Sequence, residues 1–311
     1  MKTLKRDLKI ALLVGGPGAE REVSLVSGKS VYEALTQAGF TNITQVDVHG
    51  PDFQLPEGTE LAYNIIHGTF GEDGSLQTIL EKRGIPYTGA GSHSSAVCFD
   101  KSKAKKAFLN ADVPTPRAEI LDCSNGIIMP SIPLPFVIKP PCEGSSVGVH
   151  IVHNQEDVIP AMEEAITHGS TVLVEEFIQG KELTVGIIDG EVLPVIHICP
   201  RSGFYDLSNK YPWMNMGGGT DYICPADIPE ETAAKVQEAA LKAYNAAGVE
   251  VYGRVDVLLR EEDNAPFVLE INTIPGMTPS SLLPKAAAAA GCPYEKLCEK
   301  IAELSLAIPR Q

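Results

Sequence analysis

Residues 253–259 read Gly-Arg-Val-Asp-Val-Leu-Leu, and residues 269–272 read Leu-Glu-Ile-Asn. Side chains alternate across a strand, so Arg254 and Asp256 share one face, and Glu270 and Asn272 share one face. Val255, Val257 and Ile271 between them are apolar and suit a core. Two neighbouring strands, 253–259 and 266–271, would then present Asp256, Glu270 and Asn272 together. Those are hard oxygen donors, two of them anionic, of the kind that hold magnesium beside a nucleotide phosphate. A solvated sheet face with ordinary salt bridging meets the same spacing, and spacing alone leaves the two readings level.

Upstream of this pair the chain alternates strands and helices. Residues 9–14 form an apolar run that ends in glycines, as a buried parallel strand does. Helical spacing follows over 24–38, then strands over 44–48 and 61–66 and a helix over 76–83. This order predicts a doubly wound α/β unit reaching to about residue 91. A lysine-rich helix is expected over 100–110, and a proline-rich connection with short strands over 111–135. Strands 136–139 and 147–152 read as a hairpin, followed by a helix over 156–168. Further strands are expected over 172–177, 183–188 and 192–198. Residues 200–222 read as one long polar loop, a length often tied to function. A helix over 229–247 precedes the strand pair, and the tail is helical.

Composition narrows the function. The chain has 311 residues, enough for two or three domains of roughly 100–200 residues each. Apolar residues make up 44% and charged ones 21%, which suits packed cores rather than disorder. With 25 Lys and Arg against 40 Asp and Glu, the formal charge is −15. That field argues against nucleic acid or an anionic membrane as the main partner, while a local basic pocket can still take a small anion. No apolar run approaches the roughly 18 residues of a membrane helix. The first residues carry no signal-peptide pattern, so a cytoplasmic protein is expected. Seven cysteines, an odd number without CxxC spacing, imply free thiols and no zinc site or disulfide framework.

Other segments carry weaker signals. Lys139 ends an apolar strand and opens a turn of small residues, Lys139-Pro-Pro-Cys-Glu-Gly-Ser-Ser-Val-Gly148. Such a turn can set a cation and backbone N–H groups against phosphate, or it can be a plain hairpin turn. His67-Gly-Thr-Phe-Gly-Glu-Asp-Gly74 follows a strand and precedes a helix, the place where open α/β sheets bind ligands. There His67 can position a substrate or take a proton, or Asp73 and Ser75 can simply cap a turn. Glu20 stands at the start of the first helix, where a carboxylate suits the dipole. Gly16-Pro-Gly18-Ala-Glu-Arg21 has arginine where a dinucleotide fingerprint needs its third glycine. Gly28-Lys29-Ser30 lacks the first glycine of a P-loop and lies inside the expected helix.

Taken in order, these segments resemble the D-alanine–D-alanine ligases of the ATP-grasp fold. The resemblance rests on Gly15-Gly-Pro-Gly-Ala-Glu20-Arg-Glu-Val-Ser24, His67 to Gly74, Pro86-Tyr-Thr-Gly89, Asp100-Lys101 and Lys139 to Gly148. It continues through Phe204-Tyr-Asp206, Lys210-Tyr211, Gly253-Arg-Val-Asp256 and Glu270-Ile-Asn-Thr-Ile-Pro-Gly-Met-Thr278. It covers nearly the whole chain. The implied fold is α/β: an N-terminal doubly wound parallel-sheet domain over 1–95, with two α+β domains gripping ATP. Those are a central ATP-grasp subdomain over 96–183 and a C-terminal metal-binding catalytic domain over 184–311.

The resemblance implies a role for each matched residue. Lys101 and Lys139 contact the phosphates of ATP, with Ser145 and Ser146 on the covering loop. Glu175 and Glu182 match positions at adenine and ribose, and the hinge Glu175-Glu176-Phe177-Ile178 supplies backbone and apolar contacts to the base. Asp256, Glu270 and Asn272 hold two magnesium ions, for which manganese can substitute. Glu20 holds the ammonium of the first D-alanine, with His67 lining the same substrate site. Arg254 and Gly276 stabilise the oxyanion, and Ser281 and Leu282 meet the carboxylate of the second D-alanine. Lys210 and Tyr211 close a lid. The implied reaction joins two D-alanines through an acyl phosphate, for peptidoglycan precursor synthesis, and relatives suggest a homodimer. The loop after Tyr211 is longer and richer in glycine than the usual family lid, and Glu176 stands where many relatives have lysine. The Lys210-Tyr211 element favours a D-alanine acceptor. A same-fold ligase using D-lactate, D-serine or another amine is the alternative, and a nucleotide-binding module without turnover is a second.

Overall fold

The computed structural model describes residues 4–144, 147–201 and 219–310. It contains three sheets. The first is parallel, with β1 (Ile10–Gly15) between β2 (Ile43–Val48) and β3 (Leu61–Asn64). All six residues of β1 are buried, because both faces are covered. Ile10, Leu12 and Val14 pack with Val31 and Leu35 of α1 (Arg21–Gln37) and with Leu297 and Ile301 of α8 (Tyr294–Ala307). Ala11 and Leu13 pack with Leu76 and Leu80 of α2 (Ser75–Lys82) on the other face. This is the doubly wound arrangement expected from the sequence.

The second sheet is antiparallel and runs β4 (Ala118–Asp122), β7 (Thr171–Glu176), β5 (Phe136–Lys139), β6 (His150–Val152). Val158, Ala161, Met162 and Ala165 line one face of α5 (Val158–Ile166), at helical spacing, and seal Ile138 and Val174.

The third sheet carries β11 (Thr220–Ile223), β10 (Ile196–Pro200), β8 (Gly180–Ile188), β12 (Tyr252–Arg260) and β13 (Pro266–Asn272), with β9 (Glu191–Val192) beside β8. Val236, Ala240 and Ala243 of α6 (Glu230–Ala246) pack against Val255 and Val257. By alternation the opposite face of β12 presents Arg254 and Asp256.

Some expectations are corrected. The strand expected over 192–198 is broken at Leu193-Pro194-Val195, since proline cannot donate to a ladder. The strand expected over 61–66 stops at Asn64, whose side-chain Oδ1 takes the N–H of Ile66. A helix absent from the sequence reading, α3 (Ser92–Phe99), lies just before α4 (Lys101–Asn110). Its run of serine and other small residues shows no apolar periodicity, so packing rather than pattern holds it. The tail resolves into α7 (Leu282–Ala289) and α8.

Candidate active site

The antiparallel register sets Asp256 opposite Glu270 and Arg254 opposite Asn272. All four side chains stand on the face away from the apolar core. Arg254 grips Asp256 with two parallel hydrogen bonds, Nε to Oδ1 at 2.9 Å and Nη2 to Oδ2 at 2.8 Å. Thr184 of β8 donates to Asp256 Oδ1 at 2.6 Å, and Asn272 Nδ2 donates to Oδ2 at 3.0 Å. Lys101, the first residue of α4, reaches Glu270 Oε2 at 3.0 Å. Burial lowers the Lys101 pKa, but the Glu270 carboxylate, helped by Cys142 and Glu175, holds the ammonium above its ordinary value. A bulge between Asp256 and Val257 shifts the register, and both Leu269 and Glu270 line a cavity.

The chemistry of this donor set fits a hard divalent cation. Two carboxylates and one amide supply oxygen, and a half-turn of the Asn272 amide exchanges its nitrogen for its oxygen. Among the described residues no group of three or more His, Cys, Asp or Glu gathers as a metal cluster. The candidate centre is therefore the two carboxylates and Asn272.

Beside this floor lies a cavity of about 290 Å³, lined by Glu20, His67, Gly68, Arg254, Gly276, Ser281 and Leu282. Its walls come from α1, the loop of His67 and Glu72, the turn at Glu143 and Gly144, and the third sheet with the segment that follows β13. His67 is buried, with Nδ1 2.8 Å from the Ile274 carbonyl and Nε2 3.1 Å from Ser27 Oγ. A carbonyl only accepts, so Nδ1 carries the proton and Nε2 accepts from Ser27. Burial lowers the His67 pKa, which keeps the ring neutral. His67 thereby ties Ser27 of α1 to the segment at Ile274.

Glu72 grips the same segment. Its Oε1 accepts the N–H of Ile274 at 2.8 Å, and its Oε2 accepts that of Gly68 at 2.8 Å. Both backbone groups of Ile274 are therefore held from the loop of His67 and Glu72. Ser27 accepts the N–H of Met277 at 3.4 Å, and the Tyr294 hydroxyl donates to the Met277 carbonyl. Gly276 sits between these anchors. Burial pushes the Glu72 carboxyl up to about 8, with Glu20 adding to the rise and the two backbone donors opposing it. Gly68 has φ +68°, and a Cβ there would stand 2.6 Å from Glu20 Oε2. Gly71 has no room at all, since its Cβ would meet the Ile66 carbonyl at 1.9 Å. Ser281 precedes α7 and bonds Thr278 through Oγ, at 2.8 Å from the hydroxyl and 3.1 Å from the N–H. The start of α7 at Leu282 thereby offers helix N–H groups to a carboxylate.

A second cavity, of about 590 Å³, opens between the second and third sheets. Lys139, Glu175, Glu176, Phe177, Ile178 and Glu182 line it, with Val137, Ile151 and Leu258 adding apolar surface. Glu176 Oε1 accepts the N–H of Arg117 at 2.8 Å. The two cavities share Lys101, Glu143 and Glu270. Lys101 Nζ also donates to the Glu143 carbonyl at 2.7 Å, which ties it to the turn after Lys139. Lys101, Lys139 and the β12–β13 donors, all singled out in the sequence, therefore line these two joined cavities. Ser145 and Ser146 lie outside the described residues, as do Lys210, Tyr211 and the rest of residues 202–218. Glu72, Ser27, Thr184 and Glu143 escaped the sequence reading. Glu72 and Glu143 stood inside quoted motifs, whereas Ser27 and Thr184 carried no local signal.

The match to known proteins extends over the whole architecture. A family model described as D-ala D-ala ligase C-terminus matches residues 119–303. The D-alanine--D-alanine ligase of Methylacidiphilum infernorum is 45% identical over 296 residues, covering 95% of each chain. That of Syntrophotalea carbinolica is 43% identical over 296 residues, covering 94% of each. Among solved structures, the D-alanine--D-alanine ligase of Bacillus anthracis complexed with ATP superposes with a TM-score of 0.82 at 32% identity, covering 96% of this chain and 98% of that one. The VanG D-Ala:D-Ser ligase of Enterococcus faecalis superposes with a TM-score of 0.82 at 27% identity, covering 96% and 99%.

Proposed function

The chain belongs to the D-alanine–D-alanine ligase family, and from that premise we propose how its residues divide the work of joining two D-alanines at the expense of ATP. One observation carries the reading: two cavities of different character meet at Lys101, Glu143 and Glu270. The larger, edged by Lys139 and by apolar side chains, takes ATP with its triphosphate pointing to the junction. The smaller takes the amino acids. Asp256, Glu270 and Asn272 would hold magnesium, or manganese in its place. When bound, the ions offset the charge of the transferring phosphoryl group.

Lys101 and Lys139 hold the phosphates, and Glu182 and the hinge at Glu175, Glu176, Phe177 and Ile178 hold the nucleoside. Glu20 holds the ammonium of the first D-alanine. The carboxylate oxygen of that D-alanine attacks the γ-phosphorus, the bond to the β-phosphate oxygen breaks, and ADP leaves as the acyl phosphate forms. The amine of the second D-alanine then attacks the activated carbonyl. Arg254 and the Gly276 N–H stabilise the tetrahedral oxyanion. Phosphate leaves, the amine loses its proton, and the peptide bond remains. Ser281 and the helix start at Leu282 orient the second carboxylate. Ser145, Ser146, Lys210 and Tyr211 are assigned by the family motifs to the covering loop and lid, where exclusion of water protects the acyl phosphate.

The same reading assigns 1–95 to amino-acid binding, 96–183 to the ATP-grasp subdomain and 184–311 to catalysis. The 183/184 boundary falls inside β8, Gly180–Ile188, which pairs wholly within the third sheet. A homodimer in the cytoplasm completes the proposal, and no helix among the described residues is long and apolar enough to cross a membrane. The likeness to VanG favours D-serine as the alternative acceptor over other amines. Supplying purified protein with ATP, magnesium and D-alanine, alone or with D-serine or D-lactate, separates these. The expected product is D-alanyl-D-alanine with ADP. A mixed product in preference to it would move the assignment to D-serine or D-lactate, and nucleotide binding without any product would leave only a binding module.

A further inference from the structure

Lys139 ends β5 at the wall of the nucleotide cavity, and its Nζ lies 2.5 Å from Glu175 Oε2. The other oxygen of that carboxylate, Oε1, lies 2.5 Å from Lys105 Nζ. All three side chains are buried: Lys105 is 3% exposed, Glu175 3% and Lys139 9%. Lys105 does not line the cavity. It sits one turn along α4 from Lys101 and reaches Glu175 from behind the cavity wall. There it also donates to Thr115 Oγ1 at 2.6 Å and to the Pro116 carbonyl at 3.0 Å. Thr115 in turn donates to the Val268 carbonyl of β13, so the anchor is fixed to the metal-bearing strand. Burial lowers the Lys105 pKa, with Glu175 opposing the shift, and Glu175 itself is held below its ordinary range by Lys139 and Lys105 against the effect of burial.

The charge count decides what this triad does. Two ammoniums on one carboxylate leave a single positive charge, and only Lys139 faces the cavity. Without Lys105, Glu175 and Lys139 would form a closed neutral pair, and the lysine that should meet a phosphate would be spent on its neighbour. In a dry site such a change is poorly screened.

We propose that Lys105 is a positioning residue for ATP: it occupies Glu175 from behind, so that Lys139 keeps its charge for the nucleotide phosphates. The inference rests on the ATP reading of this cavity. The carboxylate is then a tunable holder that aims Lys139, and the backing lysine sets how tightly it holds.

The test is equilibrium binding of magnesium–ATP to the full chain, by calorimetry, with D-alanine kinetics in parallel. Lys105→Met is expected to weaken ATP binding by about tenfold or more, the size of a lost charged contact, and to leave KM for D-alanine unchanged. Both carboxylate oxygens of Glu175 are taken by the two lysines, so its part in the nucleoside hinge falls to its backbone; adding Glu175→Gln keeps that backbone, frees Lys139 and is expected to restore most of the lost affinity. A merely structural lysine predicts the opposite, because a second buried change would compound the damage. If Lys105→Met does not fold, Lys105→Gln carries the same expectation, since its amide keeps donors to Thr115 and Pro116 while the charge is gone. Wild-type affinity in the uncharged variant overturns the proposal, and so does a loss that Glu175→Gln fails to recover. A wild-type chain that binds no ATP overturns the nucleotide reading itself, which is a separate result.

Discussion

Replacing Glu72 by glutamine tests how the segment at Ile274 and Gly276 is held. The wild-type carboxyl accepts one backbone N–H on each oxygen, from Gly68 and from Ile274. Glutamine offers one oxygen and turns an NH2 toward the other donor. Leaving one buried N–H without an acceptor costs about 1–3 kcal/mol. A second consequence depends on pH. Burial first, and then Glu20, raise the Glu72 carboxyl from 4.5 in the unfolded chain to about 8 in the fold, with Arg254 and the two backbone donors opposing. Between those values the native state binds more proton than the unfolded state. The stability from this group is therefore fully present below the unfolded value and is lost as pH rises toward the folded one. The slope is at most about 1.4 kcal/mol per pH unit, so wild-type stability should fall by about 2 kcal/mol relative to Glu72→Gln between pH 6 and pH 8. Urea unfolding of both proteins at pH 6, 7 and 8, without ligands, measures this directly. Parallel curves, with a constant gap across that range, would refute the reasoning. Turnover adds a check: a loosened Ile274 displaces Gly276, so kcat should drop by about tenfold while KM for ATP holds.

Gly68→Ala puts a Cβ 2.6 Å from Glu20 Oε2 at a backbone φ of +68°. The strain should cost about 1–2 kcal/mol, and the moved carboxylate should raise KM for D-alanine several-fold without touching that for ATP. Steady-state kinetics with each substrate varied in turn would expose a wrong placement of Glu20 as equal effects on both. Glu270→Gln removes an anionic donor from the candidate metal centre and the partner of Lys101. Turnover should fall by about a hundredfold or more, read as ADP and dipeptide release, and near wild-type rates would exclude Glu270 from the metal site.

Legibility followed the range of the interaction that forms each feature. The pairing of Asp256 with Glu270 was readable because a strand repeats every second residue and both segments carried polar residues at that period. The buried β1 was readable as an unbroken apolar run closed by glycines. By contrast, α3 has no apolar stripe and is held by its neighbours, and the break at Pro194 divided what looked like a single strand. The bulge beside Asp256 left no mark in composition, since a shift of register depends on what packs around the strand.

The chain alone determined most of its order of strands and helices, its family motifs and the residue types available to the site. Those follow from backbone period and local chemistry, which act over a few residues. Only the tertiary structure decided which charges meet. Lys105 and Lys139 come from different elements to share Glu175, and His67 and Glu72 cross from the first sheet to hold Ile274 beside the third. It also decided that Glu72 holds its proton well above the ordinary carboxyl range. Coulomb energy and desolvation depend on distance through space and on excluded water, and neither quantity exists until segments far apart along the chain have packed together.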